Sequence, residues 1–464
     1  MIVLVAYIRP IFSEWAYSDE LDLFNTQTLG EHIRRDGNLV GALIYTQISI
    51  KFINSLSDLL FFRLISLISL FIVIIILTRL IGKTNKSIFV QLILPIALLL
   101  PAPMTFISWG GIWAFSIATL MSIIACTFWL YGETLRRALS PVLLTLSILI
   151  YPISAFSSFS FVAVVLVLGL HKSAHFVQIL KDLIRLFAIS GLFAISALLV
   201  SRSVGNLEFN QRVSFVDLQS LPQKLQWLIS RPVAVSTRFF DIRSPAPLDA
   251  LLVFLFVVVI ILLGLWRQSQ ELKESFFTRS SLYFVSVFLS LTPLVVTSSN
   301  QIEFRYILGI SLCFFVTTIY FIAVFFRNML PIGNYVIFSV LLIVGVSSVL
   351  KKTDEQFIQP YKTKEFFLSN VIDDCISKSG TVSRVIVNQA REPFPSRPNL
   401  GIFSQTTDLA SPWVPEPSVK IMLKKKGLVN VDVIIAKEHA TGPVNSCEIN
   451  LQEFKDIIDS QLNQ

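Results

Sequence analysis

The chain has 464 residues, 54% of them hydrophobic, and a mean hydropathy of +0.70. So much apolar surface excludes an ordinary soluble globular protein, and several apolar stretches are long enough to cross about 30 Å of hydrocarbon as helices. Residues 351–464 contain 14 basic and 14 acidic side chains, so the net charge of +8 lies wholly in the first 350 residues. Cations that flank apolar spans are typical of cytoplasmic loops and of contact with anionic lipid, and this pattern does not favour nucleic-acid binding.

The apolar stretches predict an all-α polytopic membrane bundle of about 10–11 transmembrane helices, because backbone polar groups in lipid must be paired within the protein. The first span lies within residues 1–18 and is short. It has Arg9-Pro10 in its middle and no basic flank, so it is a poor signal peptide, and we expect the start of the chain to have lost some residues. The other spans are predicted near residues 59–81, 88–107, 110–131, 139–156, 157–170, 184–201, 249–266, 281–299, 306–326 and 332–350.

Along the chain, every second short loop between these spans is rich in basic residues. One set of loops contains Arg79, Lys83, Lys86, Arg136, Arg137, Lys172, Lys181, Arg185, Arg267, Lys273, Arg279 and Arg327. The short loops in between, near residues 108–111, 156–158 and 298–305, contain only Arg305. The positive-inside rule assigns the first set to the cytoplasm. The outer loops are then 14–56 and 202–248, although the second of these is itself basic.

Residues 351–464 are predicted to form a small soluble α/β domain outside the cytoplasm, after a transmembrane domain of residues 1–350. A hydrophilic linker at 351–361 precedes a helix at 362–378, strands at 382–388, 419–424 and 431–437, and a closing helix near 450–461. Cys375 and Cys447 are the two cysteines of this domain, and in an oxidising compartment they could pair as one disulfide. Cys126 and Cys313 lie in spans, where packing is their simplest role.

Three carboxylates stand close together in the first outer loop, in the segment YSDELDLF (residues 17–24), namely Asp19, Glu20 and Asp22. Helix capping is one interpretation, because acids in a first turn complement the helix dipole. Capping needs only one or two carboxylates. The alternative is a general base, or a ligand for a divalent metal such as Mg²⁺ or Mn²⁺, held just above the leaflet by Asp19 and Glu20 with Asp22 as a supporting neighbour.

Several cations accompany these carboxylates on the outer side. Arg34 and Arg35, which follow His32, fit either an exposed helix face or a patch that neutralises phosphate. The segment SLPQKLQWLISRP predicts a short amphipathic helix on the membrane surface, and phosphate binding is the alternative role for three arginines of its loop, Arg231, Arg238 and Arg243. Glu303 and Arg305 stand at the outer start of a late span, where Arg305 fits either bidentate phosphate contact or simple snorkelling.

Taken together, this layout resembles the GT-C superfamily, which are integral-membrane glycosyltransferases that use polyprenyl-phosphate sugars. The shared features are an acidic pair in the first outer loop, a many-span bundle, a basic outer loop in mid-chain, an Arg-Tyr pair at the outer start of a late span and a C-terminal outer domain. The segments YSDELDLF and ILIYPISAFSSFSFV are similar to bacterial glucosyltransferases that decorate O-antigen and related surface polysaccharides. The resemblance covers the layout of residues 1–350, and the short first span departs from the family pattern.

The resemblance implies a sugar transferase in the bacterial inner membrane whose active side faces away from the cytoplasm. It implies that Asp19, or less directly Glu20, is the catalytic carboxylate and that Arg305 binds the donor phosphate. The implied partners are a polyprenyl-phosphate sugar donor and a glycan acceptor. Independently of the family, such a transfer needs a carboxylate for the acceptor proton and cations or a metal for the departing phosphate. Residues 14–35, 231–243 and 303–305 would supply these groups from one side of the membrane.

Two other classes of function remain open from the sequence. A lipid or polysaccharide transporter or flippase would usually have ionisable residues in mid-membrane and inverted halves. The predicted spans contain almost no such residues, since Arg63 lies near the outer end of its span, and we find no internal repeat. A non-catalytic polysaccharide-assembly protein would instead tolerate replacement of Asp19 and Glu20 by their amides.

Overall fold

The computed structural model describes most of the predicted spans and much of the C-terminal region. The described residues are 2–16, 33–35, 37–53, 55–205, 216–240, 247–298, 304–326, 333–379, 382–389, 415–428, 431–436 and 446–462. Six of the candidate site residues lie outside them: Asp19, Glu20, Asp22, His32, Arg243 and Glu303.

The predicted fold class is confirmed, because the described chain is a helical bundle of apolar helices followed by a small α/β unit. A helix lies at each predicted span. The bundle helices are α1 (Ile2–Phe12), α2 (Leu39–Ile44), α3 (Leu59–Gly82), α4 (Ile88–Ile96), α5 (Pro101–Ser108), α6 (Trp113–Tyr131), α7 (Thr134–Ile150), α8 (Pro152–Leu168), α9 (Ser173–Gly205), α10 (Leu221–Leu228), α11 (Pro247–Leu272), α12 (Phe276–Ser290), α13 (Thr292–Val296), α14 (Leu308–Phe326) and α15 (Gly333–Thr353).

Fewer of these helices than expected are long enough to cross a membrane by themselves. Within the described part of the chain six helical stretches qualify by length and composition, or seven if α4 and α5 are one bent span. The sequence pattern also counted α1, α7, α8 and α12, which have 11, 17, 17 and 15 residues. Proline explains two of the breaks. Pro101 begins α5 at a bend of 57°, and Pro152 forces Tyr151 into an extended conformation between α7 and α8.

Burial separates the central helix from the peripheral ones. In α14, 83% of the apolar window is buried inside the protein, whereas the corresponding shares for α9, α11 and α15 are 28%, 28% and 17%. Apolar side chains that remain exposed on such helices are compatible with contact to lipid tails. The first turn of α14 is therefore placed in the middle of one end of the bundle, which matters for the site described below.

The loops of the bundle separate into two ends. At one end the ring of Trp15 lies 5.1 Å from that of Phe357, and the guanidinium of Arg305 lies 5.0 Å from the ring of Trp109. We call this the Arg305 end. It gathers residues from the short loops that were predicted to face outward, together with the start of the C-terminal unit.

The opposite end is organised around the buried side chain of Arg279. Arg279 donates hydrogen bonds to the backbone oxygens of His171 and Leu166 and forms an ion pair with Glu274 at 3.2 Å. Burial, reinforced by the charges of His175 and Arg279, lowers the pKa of His171 below its ordinary value. We call this the Arg279 end. Of the described cations predicted for cytoplasmic loops, four lie in connections between helices, namely Lys83, Lys86, Lys172 and Lys273, and the others lie within helices. The orientation inferred from their charge stays a prediction.

The C-terminal unit contains a three-stranded parallel sheet in the order β2–β1–β3. Its elements are α16 (Gln359–Ser379), β1 (Arg384–Asn388), α17 (Pro415–Lys425), β2 (Asp432–Ala436), β3 (Ser446–Asn450) and α18 (Leu451–Leu462). Cys375 and Cys447 form a disulfide that joins α16 to β3, so the pairing left open by the sequence is present. The segment expected to be a linker is helical, because α15 continues to Thr353 and a π-helical turn leads into α16.

One predicted strand of this unit, at 419–424, is wrong. These residues lie in α17, which begins with Pro415 in its first turn and is supported by an ion pair from Lys420 to Glu416, one turn apart. Val419, Met422 and Leu423 are buried, and their spacing places them on one helical face. The third strand is instead β3, a segment for which the sequence analysis predicted no strand.

Candidate anion-binding cleft at the Arg305 end

A cleft lies at the Arg305 end between the first turns of α8 and α14. Its walls are formed by Ile153, Ser154, Ser157, Ser290, Arg305, Tyr306, Leu308, Gly309 and Ile310. Since Pro152 begins α8 and Leu308 begins α14, the positive ends of two helix dipoles meet at this cleft. The first backbone N–H groups of a helix have no partner within that helix. This arrangement favours a negatively charged ligand.

Arg305 adds a formal positive charge to the cleft. Its guanidinium carbon lies 5.0 Å from the ring centre of Trp109 and 5.2 Å from that of Tyr306, and Nη2 donates a hydrogen bond to the Tyr306 hydroxyl at 3.3 Å. Contact with aromatic faces stabilises a guanidinium electrostatically. The planar fork of arginine suits a phosphate, and phosphate contact by Arg305 stays a prediction.

An aromatic stack connects Arg305 to the neighbouring helices. Tyr151 stacks on Phe115 with ring centres 3.7 Å apart and an interplanar angle of 3°, and its ring centre lies 6.4 Å from that of Tyr306. Offset-stacked rings contribute about 0.5–1.5 kcal/mol each beyond their buried area. Because Tyr151 is also the residue that separates α7 from α8, the stack fixes the first turn of α8 relative to Tyr306.

Arg63 holds the chain that leads into the acidic segment. Its side chain is fully buried in α3, stacks on the ring of Trp15 at 3.9 Å, and donates hydrogen bonds to the backbone oxygens of Pro10, Ser13 and Trp15. Trp15 and Ala16 are buried, and Ala16 is the last described residue before Asp19. Trp15 and Ala16, which precede the segment YSDELDLF in the chain, are therefore held at the Arg305 end.

The other candidate cations that the structure describes are not among the residues of the cleft wall. Arg34 and Arg35 are exposed, and Gly37, with φ +79°, follows them in the left-handed conformation that favours glycine at a helix end. This agrees with the interpretation of an exposed helix face. Arg231 is exposed and Arg238 half-buried, and among the described residues neither is part of the cleft.

Lys224 is a buried cation that the sequence analysis did not single out. It lies in α10, is 3% exposed, and its Nζ lies 4.3 Å from the ring centre of Trp227. Burial lowers the pKa of Lys224 to about 8. Its position could have been found from the helical spacing, because Lys224 follows Leu221 by three residues and precedes Leu228 by four, which places it on the buried face.

The cleft itself was only partly visible in the sequence. Arg305 was singled out as the lone cation of the short outer loops, but Trp109, Tyr151, Ser154 and Tyr306 were not given roles. Trp109 and Tyr151 lie at the joins between predicted spans, and this position was the available signal. Their convergence depends on contacts between helices that are far apart in the chain.

The described residues neither support nor contradict the predicted divalent metal. Among the described residues no three His, Cys, Asp or Glu side chains form a group that could hold a metal ion. The carboxylates proposed as ligands, Asp19 and Glu20, lie outside those residues. Comparison with protein-family models, with curated proteins and with solved structures finds no match, so the GT-C resemblance stays a prediction.

Proposed function

We propose that the protein transfers a sugar from a polyprenyl-phosphate donor to a glycan or lipid-linked acceptor at the outer face of the bacterial inner membrane. The observation that carries the proposal is a phosphate-compatible cleft at the Arg305 end, where Trp15 and Ala16, the buried residues that precede the acidic segment in the chain, also lie. Lipid-phosphate transfer needs a phosphate site and a carboxylate at one membrane surface, because the donor's tail stays in the leaflet. The Arg305 end would then face away from the cytoplasm, as the positive-inside rule predicts from the short loops, which on this side contain Arg305 as their one basic residue.

In the proposed reaction the acceptor hydroxyl oxygen attacks the anomeric carbon of the donor sugar. The bond from that carbon to the phosphate oxygen breaks on the opposite face, and the leaving phosphate keeps the bonding electrons, so the configuration inverts. Asp19, or alternatively Glu20, takes the acceptor proton as general base. Arg305 stabilises the negative charge of the leaving phosphate, which is the part of the reaction that the cleft supports most directly.

The test is a transfer assay in reconstituted membranes, with a panel of radiolabelled polyprenyl-phosphate sugars and a crude polysaccharide acceptor. We expect the wild-type protein to transfer the sugar and the Asp19→Asn or Glu20→Gln variant to lose this activity, with an unchanged melting temperature. Glu14→Gln is the matched control, because Glu14 is an exposed carboxylate just before the same segment. Repeating the assay after EDTA treatment tests the predicted Mg²⁺ or Mn²⁺ requirement.

Two results would contradict the proposal. Full transfer by both variants would favour helix capping as the role of Asp19 and Glu20. No transfer from any donor by a stable wild-type protein would favour a transporter, a flippase or a non-catalytic assembly protein.

A further inference from the structure

Serine hydroxyls line the cleft at the Arg305 end, and they differ in their hydrogen-bond partners. The Ser157 Oγ donates to the backbone oxygen of Ser154 at 2.6 Å. The Ser290 Oγ donates to the oxygen of Val287 and accepts from Ser160. The Ser154 Oγ is buried and has no hydrogen-bond partner among the described residues, although Ser154 is only 2% exposed. Of the three serines in the described cleft wall, Ser154 is therefore the one whose hydroxyl remains available to a ligand.

Backbone donors surround the same hydroxyl. Ile153 and Ser154 belong to the first turn of α8, and Leu308, Gly309 and Ile310 to the first turn of α14, and all of them line the cleft. Within each helix the regular bonding starts only with Ala155, which donates to Tyr151, and with Ser311, which donates to Ile307. The N–H groups of the lining residues precede these bonds, so they are the donors that a helix leaves for capping groups or ligands.

Gly309 allows the two helix starts to approach each other. A Cβ atom at this position would lie 2.7 Å from the Ser157 Cβ and 2.9 Å from the Ser157 backbone oxygen. Only glycine therefore brings the first turn of α14 against α8, and this contact keeps both sets of N–H groups on one small cleft. The ligand must be small and anionic at this point, because the donors and the Arg305 guanidinium all favour negative charge.

We propose that Ser154 and the first turns of α8 and α14 bind the oxygens of a phosphate group, with Arg305 as the charged partner. Resting on the proposed function, this assigns Ser154 as a specificity residue for the phosphate of the lipid-linked donor. The phosphate could equally belong to a free anion, and the experiment separates these sources. In the protein without ligand, Ser154→Ala should leave the thermal stability equal or higher, since it removes a buried hydroxyl that has no hydrogen-bond partner among the described residues.

The experiment measures phosphate binding by the full chain in detergent, using titration calorimetry with farnesyl phosphate, inorganic phosphate and farnesol. We expect wild type to bind farnesyl phosphate and not farnesol, and Ser154→Ala to bind it about tenfold more weakly, which corresponds to about 1.4 kcal/mol. The matched control is Ser158→Ala, because the Ser158 Oγ already donates to Ala155 at 2.9 Å and Ser158 is not part of the cleft wall. It should bind as wild type does.

Thermal unfolding without ligand gives a second readout. Ser154→Ala should melt at the same temperature as wild type or higher, whereas Ser158→Ala loses a hydrogen bond and should melt at the same temperature or lower. Loss of affinity without loss of stability is the signature of a ligand-binding hydroxyl, which a packing role would not produce.

The outcomes are separable from those of the transfer assay. Competition by inorganic phosphate at similar concentration would identify a free phosphate as the ligand, and its absence would identify the lipid ester. Unchanged affinity in Ser154→Ala, or equal weakening in Ser158→Ala, would overturn the inference. Phosphate binding that depends on Ser154 in a protein without transfer activity would keep the inference and reject the glycosyltransferase.

Discussion

Arg63 shows how one buried residue holds the chain that follows α1. A guanidinium inside an apolar bundle is costly unless its donors are satisfied, and in α3 they are satisfied by backbone oxygens of the chain that follows α1. The ring of Trp15 covers the same guanidinium. The side chain therefore attaches the N-terminal segment to the bundle at the level of the Arg305 end.

We expect Arg63→Gln to lower the free energy of unfolding by roughly 2–4 kcal/mol, because it leaves backbone oxygens of the N-terminal segment buried without a donor. Thermal unfolding in detergent measures this, and limited proteolysis should show earlier cleavage near residues 13–16. Arg79→Gln is the control, because Arg79 is an exposed arginine at the other end of the same helix. Equal melting temperatures for the two variants would contradict the role of Arg63.

At the residue scale the sequence identified charges better than it identified their surroundings. Arg63 and Arg305 could be singled out from the sequence by their positions. Arg63 is a cation near the end of an apolar span, and Arg305 is the one basic residue in the short outer loops. The rings of Trp109 and Tyr151 could not be assigned in the same way. Their role depends on three-dimensional contact with Arg305 and Tyr306, and aromatic residues are too common in this chain for position alone to select them.

Between elements, the approach of α8 to α14 is the contact that shapes the cleft. Gly309→Ala would place a Cβ within 3 Å of both side-chain and backbone atoms of Ser157. Because the backbone cannot move away cheaply, the helices must separate. We expect a loss of about 1–3 kcal/mol in the free energy of unfolding, together with weaker phosphate binding.

The measurement is thermal unfolding with and without farnesyl phosphate. Gly191→Ala in α9 is the matched control, because a Cβ there would meet nothing within 4 Å. It should be neutral or stabilising, since alanine favours a helix by up to about 1 kcal/mol over glycine. A Gly309→Ala protein as stable as the Gly191→Ala protein would show that the two helices are not held at this distance.

The elements themselves were predictable where local chemistry decides them. Apolar runs and basic flanks were enough to place a helix at every predicted span, but the bounds of the helices differ from the predicted ones at Pro101 and Pro152. The strand predicted at 419–424 failed for a different reason. Alternating valine, isoleucine and leucine fit both periods in so short a segment, and the ion pair of Lys420 with Glu416 and the packing of α17 decided for the helix.

Across the whole molecule, the two ends of the bundle differ in charge and in the chemistry that they can support. At the Arg279 end the buried arginine is held by backbone oxygens and Glu274, and Lys172 and Lys273 lie next to these partners in the chain. The Arg305 end contains the cleft, the start of the acidic segment and the connection to the C-terminal unit. The disulfide in that unit is typical of an oxidising compartment, and the extracytoplasmic orientation of the Arg305 end stays a prediction.

This orientation predicts which residues a membrane-impermeant maleimide reaches in intact cells. Gln226→Cys in α10 and Asn370→Cys in α16 belong to the Arg305 side and should be labelled directly, whereas Lys86→Cys and Gln270→Cys at the Arg279 end should react only after permeabilisation. All four positions are exposed. The background should be low, because Cys126 and Cys313 are buried and Cys375 and Cys447 are joined.

The reverse labelling pattern would place the disulfide in a reducing compartment and the basic loops outside. A phosphate cleft facing the cytoplasm could not serve a donor presented at the outer leaflet, so the proposed transfer would lose its location. The phosphate-binding test of Ser154 would still apply, because it depends on the two helix starts and Arg305 and not on the side of the membrane that they face.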